Sequence, residues 1–296
     1  MKQVAVTTFV DDNPNLIEEF EWLYKSWVYS GAFETSDLIV FHHPAVADKL
    51  VHDPSVKKIP VTPYTEIDHA WAEYKFINSV HYLTTEEAQF LKDYRYLLRT
   101  DNDTFLTPNF KNLCPRLPMF GIGGYVRTSE VSARLAYVAQ KLKLNFCFIH
   151  NVGSTIFYKA SSVLLFSKHQ LSLCKILAAT EFPEYGVWPG WYKGVLTMYA
   201  GELAANDIYD YGITLGGFDC MSMSGDPIGT TDYHIHAFHT DQYFSKLAWR
   251  KGAYDAVDVT KIQPTTLQDY CLFLAKTPVE TLFDMVGYGR DRICSV

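Results

Sequence analysis

The sequence predicts an α/β protein with a mixed, mainly parallel central sheet that is flanked by helices. Short apolar runs alternate with longer amphipathic segments over roughly the first 100 residues, the order expected when crossover helices connect parallel strands. Hydrophobic residues make up 48% and aromatic residues 15% of the 296 residues, enough for a sizeable core. No linker or internal repeat divides the sequence, so we expect a single domain over residues 1–296.

The first half of the chain contains the clearest elements. A β-branched run at residues 4–10 predicts a buried first strand, and Asn13-Pro14 then provides an N-cap and a first-turn proline for a helix to about Ser30. The apolar run Tyr96–Leu98 predicts a further buried strand. The other elements predicted here are strands at 38–41 and 59–61, a helix at 70–83 and a helix beginning at 84–87.

The second half is predicted to extend this sheet and to close over it. Its predicted elements are a loop at 107–118, a helix at about 130–144, a strand at 153–158 and a helix at 161–179. This order continues the alternation of strands and helices, which favours one sheet for the whole chain.

The composition argues against several classes of protein. The net charge of −7 is unlike that of a nucleic-acid binder, which usually has a basic face. No stretch reaches the ~20 apolar residues of a membrane span, and the first strand begins too early for a signal peptide. The six cysteines have no CxxC spacing, and Cys147 and Cys174 lie in apolar contexts that predict burial. We therefore expect a soluble, cytoplasmic protein with reduced thiols.

Asp101 and Asp103 stand one residue apart, directly after the predicted strand at 96–98. Alternation places both carboxylates on the same side of an extended chain, and two like charges this close favour a divalent cation between them. The carboxyl end of an α/β strand is also where such sheets bind ligands. An EF-hand calcium loop is excluded, because Phe105 and Leu106 occupy the positions of its fifth-position ligand and its glycine. A pair of solvated turn acids is the ordinary alternative.

Three histidines, His234, His236 and His239, fall within six residues. On a strand, His234 and His236 face the same way, and imidazole is a good ligand for Mn²⁺ where carboxylates complete the site. A zinc site made by the three histidines alone is the competing interpretation, and burial in the core is the ordinary explanation for any one of them. Lys246 begins a stretch of three cations, which either ends a solvated helix or neutralises diphosphate charge.

Three further features have both a functional and a structural explanation. Arg99 lies two residues before the first aspartate and either pairs with a carboxylate or reaches a phosphate. Residues 151–154 offer amide and hydroxyl groups to a sugar, or form an ordinary turn. The loop at 185–192 contains Trp188 and Trp191, which suit stacking on a sugar face unless the loop folds onto the core.

Taken together, these motifs resemble the GT-A glycosyltransferases, α/β domains whose DxD motif ends a central strand and holds a divalent metal against a nucleotide-sugar diphosphate. Residues 99–103 resemble that motif, and residues 151–157 resemble the acceptor-side strand. His236 or His239, with Lys246, resembles the C-terminal metal histidine and phosphate-binding lysine of these enzymes. The chain is also similar to small soluble glycosyltransferases of large algal viruses, which build capsid glycans.

The resemblance implies a GT-A-like domain with two halves. Residues 1–108 or so would form the nucleotide-binding half, and residues 109–296 the acceptor-binding half with the C-terminal metal and phosphate elements. Mn²⁺ or Mg²⁺ would be the cofactor, a nucleotide sugar such as a UDP-sugar the donor, and a glycan or glycoprotein the acceptor. Neither nucleic acid nor a membrane span is expected, and a virus-encoded enzyme acting in the host cytoplasm fits this pattern.

The resemblance also implies a set of site residues. The implied metal ligands are Asp101, Asp103, His236 and His239. The implied donor-binding residues are Thr8, Phe9, Val10, Arg99, Asp101, Asn102 and Lys246. The implied acceptor-binding residues are Asn151, Gly153, Ser154, Trp188 and Trp191.

The catalytic base and the class of enzyme stay open. Inverting members often carry their base in an acidic motif after the position of Trp191, and this sequence has no clear equivalent. Glu202, Glu184 and Asp219 are the candidates, although a hydrogen-bonded core acid explains Glu202 equally well. The rival functions are a zinc metallohydrolase that uses the three histidines and a non-catalytic module that binds glycans through the aromatic loop.

Overall fold

The computed structural model describes residues 2–222, 225–237, 239 and 244–289. Within these ranges the strands are β1 (Val4–Val10), β2 (Ser36–His42), β3 (Val56–Pro60), β4 (Tyr96–Arg99), β5 (Thr104–Leu106), β6 (Met119–Ile122), β7 (Val152–Lys159), β8 (Thr214–Leu215), β9 (Cys220–Met221) and β10 (His234–His236). The helices are α1 (Pro14–Tyr29), α2 (Tyr64–Ile67), α3 (Asn78–His81), α4 (Ser129–Leu142), α5 (Ala160–Thr180), α6 (Leu196–Ile208), α7 (Lys246–Arg250), α8 (Leu267–Lys276) and α9 (Val279–Val286).

The strands of the described residues form two sheets. The larger has seven strands in the order β3-β2-β1-β4-β7-β6-β8, and the smaller has the order β5-β10-β9. Strands β3, β2, β1 and β4 are mutually parallel, β7 is antiparallel to both neighbours, and β8 is parallel to β6. The predicted fold class, a mixed and mainly parallel sheet flanked by helices, is therefore confirmed.

Helices cover both faces of the large sheet because the side chains of β1 alternate. Val6 and Val10 pack in a cluster with Phe20 and Trp27 of α1. Ala5 and the other inward residues of the opposite face join a second cluster that includes α4, α5 and α6. Asn13 caps α1 through its side chain, as the sequence predicts. Burial of strands on both faces explains why they are apolar runs rather than alternating ones.

The direction of β7 determines which segments meet at the functional edge. Its register pairs Tyr96 with Lys159 and Arg99 with Ile156. Because the two strands run in opposite directions, β7 begins at the edge where β1 and β4 end. The residues before and at the start of β7 therefore lie beside the turn that contains Asp101.

Two predicted helices are wrong. Residues 70–83 form a series of 3₁₀ turns with only α3 as a short α-helix, and Glu86–Asp93 is a 3₁₀ segment rather than an α-helix. The buried residues Trp71, Tyr74, Ile77 and Val80 recur at every third position, which matches the 3.0-residue turn of a 3₁₀-helix.

Cys174 is buried as predicted, but Cys147 is exposed, because it lies in the loop between α4 and β7 rather than in the core. In the part of the chain that the structure describes, none of the helices combines the length and the apolar character that crossing a bilayer requires.

Candidate metal centre

Asp101, Asp103 and His236 converge at the carboxyl edge of the large sheet. One ligand atom from each lies within 4.8 Å of the others, and among the described residues this is the group with metal-binding geometry. Asp101 follows β4, and its Oδ2 accepts a hydrogen bond of 2.6 Å from Ser154 Oγ at the start of β7. His236 reaches the site because β10 pairs antiparallel with β5, which sets His236 opposite Thr104.

Asn102, between the two aspartates, fixes the turn to the end of β1. Its Oδ1 accepts a hydrogen bond of 2.6 Å from Thr8 Oγ1, and its Nδ2 donates one of 2.8 Å to the carbonyl oxygen of Phe9. The Asn102 and Thr8 side chains are both buried, and Val10 is fully buried in the core. Of the predicted donor-binding residues, Asn102, Thr8 and Val10 thus have structural contacts, and the ring of Phe9 stacks on Tyr82 at 6.0 Å.

Asp103 is the most heavily paired carboxylate of the centre. His236 Nε2 lies 3.2 Å from Asp103 Oδ2, and the ammonium of Lys246 forms an ion pair with the same oxygen. Burial alone would raise the pKa of Asp103, but the charges of His236 and Lys246 hold it well below the ordinary value. The same interaction, helped by Asp219, raises the pKa of His236 well above its usual range despite burial.

Asp101 has the opposite electrostatic character. Burial raises its pKa, and the neighbouring carboxylates of Asp103 and Asp219 raise it further, against the attraction of His236 and the hydrogen bond from Ser154. Three carboxylates thus crowd around one imidazole. An arrangement of this kind is relieved by a cation.

Asp219 contacts the ring of His236 and is buried, so it is not accessible as the catalytic base. Its Oδ1 lies 3.4 Å from His236 Nδ1 and accepts a hydrogen bond of 2.6 Å from Thr155 Oγ1. The backbone of Asp219 is left-handed, with φ 54°. The carboxylate fits between Gly121 and Gly153, where a Cβ on either glycine would overlap it. A buried acid so enclosed orients the imidazole that it contacts.

The three histidines do not form the zinc site that was the competing interpretation. His234 is fully buried; its Nε2 lies 2.7 Å from Thr100 Oγ1, and its Nδ1 accepts the backbone N–H of Asp219 at 3.1 Å. Both ring nitrogens are therefore engaged within the protein, and burial lowers the pKa of His234 to about 4. His239 is exposed, and among the described residues it does not belong to the metal-binding group.

Arg99 is held by contacts within the protein at the junction of β4, β7 and α5. Its guanidinium is buried and donates hydrogen bonds of 2.8 Å to the Ser154 carbonyl oxygen and 2.5 Å to Gln170 Oε1. The cation also lies over the ring of Phe166, 5.4 Å from its centroid. These contacts hold β4 and β7 to α5, so Arg99 bonds to a carbonyl and an amide oxygen rather than to a carboxylate, and its contact with a phosphate stays a prediction.

One charged residue near the centre, Glu19, is absent from the prediction. Glu19 of α1 is buried, and its carboxylate forms an ion pair with Arg250 at the end of α7. Burial and the charge of Asp103 raise the pKa of Glu19 to about 7, although Lys246 and Arg250 act in the opposite direction. The only sequence signal is a glutamate directly before the buried Phe20.

The predicted acceptor-side residues lie in two places. Asn151 and Ser154 flank the beginning of β7 near the centre, and the backbone N–H of Asn151 donates to Glu202 Oε2 at 2.7 Å. Trp191 stacks on both Phe182 and Tyr199, so this part of the aromatic loop folds onto the core. Trp188 is 38% exposed. A separate cavity of about 510 Å³ has Glu184 and Trp191 in its lining.

Fold and site together define a class: a mixed α/β protein with a candidate divalent-metal centre at the carboxyl edge of its sheet. The chain belongs to the family described as "Domain of unknown function (DUF7164)", whose model matches residues 1–281. No curated protein matches the sequence. The family description names no activity, so the chemistry of the site carries the functional argument.

Proposed function

We propose that the protein is a metal-dependent glycosyltransferase of GT-A type. It transfers a sugar from a nucleotide-diphosphate donor, a UDP-sugar being the leading choice, to a glycan or glycoprotein acceptor. The observation that carries the proposal is the convergence of Asp101, Asp103 and His236 beside Lys246, at the carboxyl edge of parallel strands. That edge is where open α/β sheets bind their ligands.

The three candidate ligands, Asp101, Asp103 and His236, suit Mn²⁺ or Mg²⁺. Two carboxylates and one imidazole are typical ligands for Mn²⁺, and their mutual distances within 4.8 Å allow a single ion to reach all three. When bound, the ion supplies Lewis-acid stabilisation to a departing diphosphate. Asp219 keeps the ring of His236 oriented. Lys246 supplies positive charge next to the carboxylate of Asp103.

The first test is a thermal-shift measurement on the intact protein with UDP or GDP, each with and without Mn²⁺. Because a ligand that binds the folded state raises the melting temperature, we expect nucleotide and Mn²⁺ together to raise it by more than the sum of their separate effects. If neither nucleotide changes the melting temperature in the presence of Mn²⁺, the proposal fails.

The second test is the substitution Asp103→Asn, with Asp93→Asn as a matched control on an exposed acid at the end of the 3₁₀ segment. Removing a charged ligand is expected to reduce Mn²⁺-dependent hydrolysis of UDP-sugars by at least about 100-fold, while the control keeps its activity. A glycan-binding module instead predicts sugar binding that Asp103→Asn leaves unchanged. Isothermal titration with oligosaccharides separates the two functions.

A further inference from the structure

A second polar cluster is built from Ser132 of α4, His150 of the following loop and Glu202 of α6. Ser132 Oγ lies 2.9 Å from His150 Nε2. His150 Nδ1 lies 2.5 Å from Glu202 Oε1. A hydroxyl, an imidazole and a carboxylate are thus connected in series, which is the order of groups that activates a serine nucleophile.

The surroundings of Glu202 determine how the protons are arranged. Its side chain is 2% exposed, and Oε2 accepts the backbone N–H of Asn151 at 2.7 Å. A carboxylate only accepts hydrogen bonds, so the ring proton of a neutral His150 lies on Nδ1 and points to Oε1. Nε2 is then left as an acceptor for the hydroxyl proton of Ser132. This is the tautomer that a general base requires.

The cluster is accessible from one side and has an apolar wall. The His150 side chain is 23% exposed, and the rings of Phe146 and Phe148 stand 5.8 Å and 6.4 Å from its ring. Phe148 is 67% exposed and has φ 58°, a conformation that costs a bulky residue free energy and is concentrated at ligand-binding sites. The wall offers an apolar surface for an acyl chain or aromatic group.

The position of Ser132 on its helix suits acyl transfer. Helix α4 begins at Ser129, so Ser132 stands within about one turn of its N-terminus. The helix dipole there favours negative charge, and negative charge develops on the carbonyl oxygen when a nucleophile attacks an ester.

We propose that Ser132, His150 and Glu202 form a second catalytic centre that hydrolyses carboxylic esters. Ser132 Oγ attacks the carbonyl carbon while its proton passes to His150 Nε2, and the same proton then leaves with the departing alcohol. Water then attacks the acyl-serine and gives one proton to His150 Nε2. The bond from Ser132 Oγ to the acyl carbon breaks, that proton passes from His150 to Ser132 Oγ, and the carboxylic acid is released. Glu202 is a positioning residue, which holds the ring and stabilises its protonated form. The proposal is independent of the metal centre.

The test combines covalent labelling with turnover on the full-length protein. A fluorophosphonate probe is expected to modify the wild type at Ser132, located by peptide mass spectrometry, and p-nitrophenyl acetate and butyrate are expected to be hydrolysed. Ser132→Ala and His150→Asn should each lower turnover by at least about 100-fold. Ser129→Ala, an exposed serine on the same helix, is the matched control and should keep both labelling and turnover.

Three results decide the proposal. Glu202→Gln should lower kcat more than it raises KM, with a melting temperature that shows the variant folded, because a misplaced ring impairs the chemical step. If the wild type is not labelled while a known serine hydrolase in the same tube is, the centre does not exist. The same conclusion follows if Ser132→Ala keeps its label. Asp103→Asn should label normally, so failure here and failure of the transferase proposal are distinguishable.

Discussion

Two buried carboxylates, Asp103 and Glu202, meet different partners at similar depth. Asp103 contacts the cations of His236 and Lys246, and Asp101 lies close enough to form a shared ligand group with it. Glu202 instead accepts hydrogen bonds from the Asn151 N–H and from an imidazole. The comparison shows that burial alone does not identify a metal ligand. The metal centre differs because three carboxylates, those of Asp101, Asp103 and Asp219, lie close to one another.

The two pKa shifts express the same difference. Burial raises the pKa of Glu202, and its hydrogen bonds from His150 and Asn151 only partly oppose that effect. Burial acts on Asp103 in the same direction, but the nearby charges prevail and lower its pKa. Asp103 is therefore ionised across the physiological range.

The largest effect is expected from Gly121→Ala, because the new side chain displaces Asp219, which orients His236 in the metal centre. The new Cβ would lie 2.8 Å from Asp219 Cβ and closer still to its carboxylate, which Thr155 holds in place. We expect a loss of about 3 kcal/mol in the free energy of unfolding and a weaker Mn²⁺ affinity, because His236 loses its partner. Urea unfolding and metal titration measure the two quantities.

The control for this variant is Gly124→Ala, in the loop just after β6. A Cβ at Gly124 meets nothing within 4 Å. If both substitutions have the same effect, then the close contact between residue 121 and the Asp219 carboxylate does not explain the loss of stability and of Mn²⁺ affinity. The glycine comparison thus tests a close approach and not the general cost of replacing glycine in this segment.

An intermediate effect is expected from Arg250→Ala. The substitution leaves the buried carboxylate of Glu19 without its ion-pair partner, and we expect a loss of about 2 kcal/mol in unfolding free energy. Glu19→Gln should cost less, because a neutral amide tolerates burial better than an unpaired charge. In the double variant most of the loss should disappear. Additive losses in this cycle would contradict the assignment of the pair.

The smallest effect is expected from the substitution Asp53→Asn. Hydrogen bonds hold the Asp53 carboxylate, which is distant in the sequence from the residues of both sites. Tyr24 and Tyr288 donate to its Oδ2 at 2.7 Å and 2.6 Å. Burial would raise its pKa, but these bonds and the Ser55 N–H lower it below 3.8. A lowered carboxyl pKa stabilises the fold above the unfolded value of about 4, and that stability is lost as pH falls through the folded pKa.

Asp53→Asn should therefore cost about 1 kcal/mol at pH 7, the net value of a hydrogen bond to a partly exposed acid. The difference between variant and wild type should shrink as the pH is lowered below about 4, because the wild-type carboxyl then protonates as well. Unfolding curves between pH 7 and pH 3 measure this. A difference that stays constant over that range would show that the charge of Asp53 is not involved.

Much of the fold is predictable from the sequence because the relevant signals are local. The apolar run at 4–10 and the capped helix from Asn13 give β1 and α1 almost to the residue. The direction of β7 is not predictable in this way, since strand propensity carries no information about the neighbouring strand. The failed helix at 70–83 has a related cause, because apolar residues at every third position suit two kinds of helix.

The candidate site is also predictable only where its signals are local in the sequence. Asp101 and Asp103 are recognisable from a strand that runs into two acids, and strand alternation correctly puts His234 and His236 on one side, since both contact Asp219. Which of the two histidines reaches the other carboxylates depends on packing depth, and a single sequence does not contain that. Glu19 is not predictable for the same reason, because its ion pair with Arg250 joins residues that are 231 positions apart.

The antiparallel direction of β7 changes which part of the chain can be exchanged without rebuilding the sheet. In a wholly parallel sheet, the segments after the strands line the carboxyl edge. Here the residues directly before β7 also lie at that edge, and the backbone N–H of Asn151 donates to Glu202. Residues 143–149 lie outside the pairing of β7 with β4, so their sequence can change while that pairing stays fixed. Changing them while His150 and Asn151 are kept is therefore a direct way to alter which molecules approach this part of the molecule.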